Sequence, residues 1–157
     1  MKALSRFISK ERWFLFGLLL SFILLWPLFV APLFNIQDDE QLIRIQQMSV
    51  CLTDFQIPCR WVPDLGAGMG YPMFNFYGPL AYYVGAALYL LTGDLLFSAK
   101  AIYGISFVGA YIFMYLAARK VWGNVGGFLS GVLYSFVPYH ALNFYVRGAM
   151  GEMWGVS

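Results

Sequence analysis

Charge is scarce in this chain. Of its 157 residues only 11% are charged, against about 25% in an ordinary soluble domain. Ten basic residues nearly balance eight acidic ones, for a net charge of +2. They form no basic block, so a nucleic-acid partner is not expected. Histidine occurs once, at His140, and cysteine twice. That leaves too few soft ligands for a protein zinc cage, which takes about four. What the chain has instead is apolar and aromatic: 61% hydrophobic and 20% aromatic residues, with a mean hydropathy of +0.66. Soluble domains manage with roughly 45–50% apolar residues. Disorder is excluded by the same figures, and the composition points to lipid.

Residues 13–34 form an uncharged run of 22 residues, about 33 Å long as a helix and enough for a bilayer core. Pro27 and Pro32 lie in its outer half, where a kink is tolerated. The run exceeds the ~7–15 residues of a signal-peptide core and no small-residue cleavage site follows it, so an uncleaved anchor is expected. Lys2, Arg6, Lys10 and Arg12 against Glu11 give its N-terminal flank a charge of +3. Such a flank stays in the cytoplasm of a cell-membrane protein, which makes residues 35–97 the first large external loop. There, Asp38 with Gln41 reads as an N-cap and its capping-box partner. Leu42, Ile45, Met48 and Leu52 recur at helical spacing, with Gln46 and Gln47 on the polar side. This predicts a helix over about 39–52 that lies along the membrane surface. Cys51 and Cys59 read equally as a disulfide in an oxidising compartment or as two buried thiols.

Residues 65–93 are uncharged, but glycine and proline break their first half, and the apolar run that remains is short. It predicts an interfacial helix over about 77–92. Two further uncharged stretches flank Arg119 and Lys120. If the 77–92 helix crosses, there are four spans and these two cations fall outside. If it does not, there are three transmembrane helices, over about 13–34, 98–118 and 122–142. Arg119 and Lys120 then sit in a short cytoplasmic loop, as the positive-inside rule prefers. Arg147 and Glu152 join Asp38 and Asp39 on the outer face. The preferred architecture is therefore an all-α, multi-pass membrane protein with three spans. Gly123, Gly127 and Gly131 recur every four residues, a spacing that suits close helix packing in lipid.

Charges beside membrane segments are expensive and invite a functional reading. Capping accounts for Asp38, and an i,i+4 pair with Arg44 accounts for Glu40; neither uses Asp39. A carboxylate held at a membrane surface suits a general base or a metal ligand. Arg147 and Glu152 form the second cluster. Structurally they read as a snorkelling cation and a solvated acid; functionally, the planar fork of arginine fits a phosphate. His140 reads as the polar end of a span. The Gly66, Gly68 and Gly70 series lacks the Gly-Lys-Ser/Thr ending of a nucleotide loop. Tyr71, Phe74, Phe76, Tyr77, Tyr82 and Tyr83 read mainly as an interfacial belt, with Tyr77 the candidate for stacking on a sugar or an isoprenoid chain.

Several segments together carry a resemblance. They are the acidic pair Asp38-Asp39, then Ile57-Pro58-Cys59-Arg60-Trp61-Val62-Pro63, then the run Gly70-Tyr71-Pro72-Met73-Phe74-Asn75-Phe76-Tyr77-Gly78-Pro79-Leu80, and Tyr145-Val146-Arg147-Gly148-Ala149 with Glu152. The series resembles multi-spanning membrane proteins labelled "6-pyruvoyl-tetrahydropterin synthase-related", which in turn look like glycosyltransferases of the GT-C superfamily. It covers nearly the whole chain from Asp38 onward. The pterin activity in that label does not fit, because such a synthase holds zinc with several histidines. The GT-C resemblance implies transfer of a sugar, with inversion, from a polyprenyl-phosphate donor on the outer face to an acceptor. It implies Asp39 or Asp38 as the catalytic base, and Arg147, Glu152 and Tyr77 as substrate contacts. Asp39 and Glu152 are candidate ligands should a divalent metal ion take part. The implied partners are membrane lipid, the lipid-linked donor and further C-terminal spans. Residues 1–157 thus read as one N-terminal module of a longer polytopic enzyme, inactive alone. The competing expectation is a non-enzymatic scaffold or flippase-like subunit, its carboxylates serving as caps and anchors.

Overall fold

The computed structural model describes residues 2–30 and 37–156, with side chains from residue 11 onward. The outer end of the expected first span, residues 31–34, and the start of the external loop at Asn35 lie outside the described residues. Regular structure among the described residues is helical, apart from one isolated antiparallel bridge between Val62 and Tyr71.

The first apolar run folds as two pieces, α1 (Lys2–Leu24) and α2 (Trp26–Val30). Pro27 explains the break, since it has no N–H to offer Ile23 and its ring crowds that carbonyl. The Leu25 N–H tightens onto the Phe22 carbonyl at 3.1 Å instead. Helix α3 (Gln41–Thr53) starts later than expected. Its N-cap is Glu40, with no side-chain cap hydrogen bond, so the capping-box reading of Asp38 is corrected. Ile45 and Met48 are fully buried where α3 packs on α4 (Leu80–Thr92). Gln47, expected on the polar side, is buried as well. Cys51 and Cys59 are joined by a disulfide with their Cα atoms 5.5 Å apart, which decides between the two thiol readings.

Helix α4 ends at Gly93, in the left-handed region at φ 72°, as helix C-termini commonly do. Asp94 then caps α5 (Leu95–Ser135) by accepting from the Phe97 N–H at 2.9 Å. Helix α5 is not one rod. At Gly123 the backbone takes φ 70°, ψ −171°, a region essentially open to glycine alone, and the chain reverses. Gly127 then lies against Tyr115 and Gly131 against Tyr111. The glycine series is therefore divided: Gly127 and Gly131 let the limbs approach, while Gly123 makes the turn between them. The chain closes with α6 (Pro138–Leu142), a wide helical turn at Asn143–Arg147 and α7 (Met150–Val156).

Helix α1 runs antiparallel to the first limb of α5. Arg119 makes a two-pronged bridge to Glu11 at 2.9 and 3.0 Å. The Tyr111 hydroxyl donates to the Phe14 carbonyl at 2.9 Å, and Leu25 lies beside Gly104. Against the second limb α1 runs parallel. Trp13 and Phe16 pack on Phe128 near one end, and the Tyr145 hydroxyl bonds the Leu24 carbonyl near the other. Helices α3, α4 and α7 gather at the end away from Glu11 and Arg119. There Gly85 of α4 meets Ile45 and Ile102, and the Trp154 indole donates to the Ile102 carbonyl at 3.1 Å. The stretch Leu95–Arg147 is long and apolar enough, by length and composition, to cross a membrane.

Candidate functional site

Asp38 sits between two parts of the chain more than a hundred residues apart. Its backbone N–H donates to the Arg147 carbonyl at 3.0 Å, and the neighbouring Gln37 N–H donates to Val146 at 2.9 Å. Two short chain segments are thereby pinned together at the α3–α4–α7 end of the bundle.

From there a polar network enters the core. The Asp38 carboxylate accepts from Arg44 at 2.7 Å and from the Gln41 amide at 2.9 Å. Gln41 also donates to the Gly148 carbonyl at 2.8 Å, and its own oxygen accepts from the Tyr82 hydroxyl at 2.8 Å. Tyr103 adds a second donor to Gly148 at 3.1 Å. These partners are what permit Gln41 and Arg44 to be 2% and 4% exposed, since buried polar groups cost free energy unless hydrogen-bonded. Arg44 further binds Glu40 at 3.1 Å and lies 4.3 Å from the centre of the Tyr77 ring. Burial alone would lower the Arg44 pKa, but the Asp38 carboxylate and Tyr82 hydroxyl beside it outweigh that and raise it above the ordinary guanidinium value. Burial also raises the Tyr82 phenol, although the Arg44 charge works the other way.

Arg147 and Glu152 belong to a second cluster next to the first. Arg147 donates to Glu152 at 2.9 Å and to the Asn143 side chain at 2.5 Å, while the Tyr139 hydroxyl bonds the other oxygen of Glu152. The wide turn at Asn143–Arg147 sets this arrangement. The left-handed Gly148 at φ 67° then aims its carbonyl at Gln41 and Tyr103. His140 is 2% exposed, packed against Tyr134 and Phe107. It is buried, in the last turn of α6.

The residues singled out in the sequence divide as follows. Asp38, Arg147 and Glu152 come together at one end of the molecule. Asp39 lies beside them, exposed and with no hydrogen bond or ion pair among the described residues. Tyr77 is half exposed and stacked on Arg44. Phe74 and Tyr82, expected in an interfacial belt, are core residues in contact with each other. As for a metal, no group of three or more His, Cys, Asp or Glu that could hold one exists among the described residues. Glu152 is already engaged by Arg147 and Tyr139, so the donor set does not fit a resident cation.

Sequence reasoning missed Gln41, Tyr82, Tyr103 and the Gly148 carbonyl as parts of one network. A signal was available: Gln41, Arg44 and Met48 follow i, i+3 and i+7 spacing. This puts the two polar side chains on the face that Ile45 and Met48 bury. Compared with family models, curated proteins and solved structures, the chain matches none.

Proposed function

We propose that this chain is the N-terminal module of an integral-membrane glycosyltransferase. It takes a sugar from a polyprenyl-phosphate donor on the outer face and transfers it with inversion. The observation that carries the reading is the convergence of Asp38, Asp39, Arg147 and Glu152 at one end of the bundle, through the Asp38 to Arg147 backbone bond of 3.0 Å. Had the acids and Arg147 stood at opposite ends, a single site could not have used both.

Three spans accommodate this site. Helix α1, continued by α2, is the first span, and the two limbs of α5 are the second and third. The Glu11–Arg119 bridge puts the hairpin turn on the same side as the basic N-terminal flank, as the positive-inside rule asks. Helix α4 packs mainly on α3 and α5, with α7 beside it, at the opposite end, which supports a place in the outer interface. Large apolar side chains such as Leu19, Phe29, Phe113, Val121 and Leu133 are 60% exposed or more; in a bilayer they face acyl chains. The disulfide suits a loop in an oxidising compartment.

In the proposed reaction Asp39, exposed and without a side-chain partner among the described residues, takes the proton of the acceptor hydroxyl as that oxygen attacks the anomeric carbon. The bond from that carbon to the lipid phosphate breaks on the opposite side, and Arg147 offsets the charge that accumulates there. A scaffold remains the second reading, favoured by one observation: Asp38, Arg44, Arg147 and Glu152 are already paired with one another. The two are separated by giving the full-length protein, in liposomes, a panel of polyprenyl-phosphate sugars and recording the anomeric configuration of any product. An inverted glycoside is expected; no product from any donor favours the scaffold.

A further inference from the structure

Beside the acidic segment lies a cleft of about 350 Å³ that the transfer step above leaves unused. Glu40, Arg44, Gly66, Tyr71, Met73 and Tyr77 line it. We propose that this cleft is a saccharide subsite for one uncharged pyranose, supplied by the acceptor or by the donor. The proposal rests on the transferase reading and deepens it.

Size and charge select the ligand. The cleft is near the lower end of the roughly 300–1,000 Å³ range of ligand pockets, which suits one ring. Arg44 is shared between Asp38 and Glu40 at 2.7 and 3.1 Å. One positive charge against two negative ones leaves an excess of negative charge, which repels phosphates and carboxylates. A cation fares no better, because Arg44 occupies the space between the two acids. A neutral ligand with many hydroxyls avoids both penalties.

The walls have what such a ligand needs. Tyr71 and Tyr77 are 44% and 41% exposed, and an aromatic ring offers an apolar face with a polar tip. Both rings are held in place. Tyr71 exchanges backbone hydrogen bonds with Val62 at 2.9 and 3.0 Å, and Tyr77 is stacked on Arg44. Glu40 binds Arg44 through one oxygen, and the other, without a partner among the described residues, can accept from hydroxyls. Gly66, at φ +65°, adopts a conformation other residues rarely tolerate, so its wall of the cleft is bare backbone.

The test uses the full-length protein in lipid nanodiscs and saturation-transfer NMR with methyl α- and β-glycosides of glucose, mannose and galactose, and with inorganic phosphate. At least one glycoside should receive saturation, and phosphate should not compete with it. Tyr71→Ala and Glu40→Gln should each reduce the effect at least fivefold. Tyr71→Ala removes an exposed ring and Glu40→Gln keeps the shape of the side chain, so folding is preserved in at least one. Lys120→Ala, an exposed position at the opposite end of the bundle, should leave binding unchanged. No transfer to any glycoside, transfer unaffected by both cleft variants, or displacement by phosphate would overturn the subsite. In turnover assays the Tyr71→Ala variant should raise KM for the substrate that supplies the ring, acceptor or donor; a KM unchanged for both overturns the proposal. Glycoside binding by a full-length protein that transfers no sugar would leave the subsite standing and remove the transferase reading.

Discussion

Arg44 shows how much one buried side chain can organise. It is 4% exposed, ties Asp38 to Glu40 and lies under Tyr77. Removing one partner of a buried, charged hydrogen-bond set leaves the others uncompensated. Because Asp38 and Glu40 are partly exposed, the loss is smaller than in a dry core. Arg44→Ala should cost roughly 2–3 kcal/mol, read as a lower midpoint in denaturant titration of the detergent-solubilised chain. Tyr82 makes a pH-dependent contribution. Its phenol pKa is raised from 10.0, so the protonated form is favoured in the folded state. The stability this provides is fully present below that value and declines as pH rises through the higher folded-state value. Ultraviolet titration should show Tyr82 among the tyrosines that ionise after the exposed ones, and Tyr82→Phe should reduce the late absorbance change by the share of one tyrosine.

At the scale of elements, α5 is the informative case. Its two limbs are joined at Gly123 in a conformation that costs other residues about 1–3 kcal/mol, so Gly123→Ala should lower stability by that amount. Gly104→Ala, on the first limb, where an added Cβ would meet nothing nearer than Leu25 at 3.9 Å, provides the comparison for helix propensity alone. Length and hydropathy made the paired stretches readable in the sequence, and the charges of Arg119 and Lys120 marked the interval between them. The role of Gly123 was not readable, because a repeat of glycines every four residues looks the same whether a glycine packs or turns. The break between α1 and α2 follows from Pro27, a local rule. By contrast, the start of α3 depends on what Asp38 finds elsewhere. Its carboxylate turns to Arg44 and Gln41 and away from the helix end, held there by the Arg147 and Gly148 carbonyls. No window of neighbouring residues contains that information. The same holds for the site: Asp38, Asp39, Arg147 and Glu152 were legible as unusual charges, but the Gln41–Tyr82–Tyr103 network that joins their segments was not.

For the whole molecule, one bundle end carries the Glu11–Arg119 bridge and the other carries the acidic segment, the disulfide and the polar network. The proposed orientation makes the second end external. Single cysteines introduced as Asp54→Cys and Lys120→Cys, both at exposed positions, should behave oppositely toward a membrane-impermeant maleimide on intact cells. The first should be labelled directly and the second only after permeabilisation; the reverse pattern would invert the topology. The catalytic assignment rests on Asp39 most of all, since it is the acid beside Asp38, Arg147 and Glu152 that has no side-chain partner among the described residues. The most direct measurement is sugar transfer from a polyprenyl-phosphate donor by the full-length protein and by its Asp39→Asn variant, side by side in the same liposomes. Loss of a general base typically costs about 10²–10⁴-fold, so the variant should fall by at least two orders of magnitude while its fold persists. Transfer by Asp39→Asn at the rate of the unaltered chain would contradict the account.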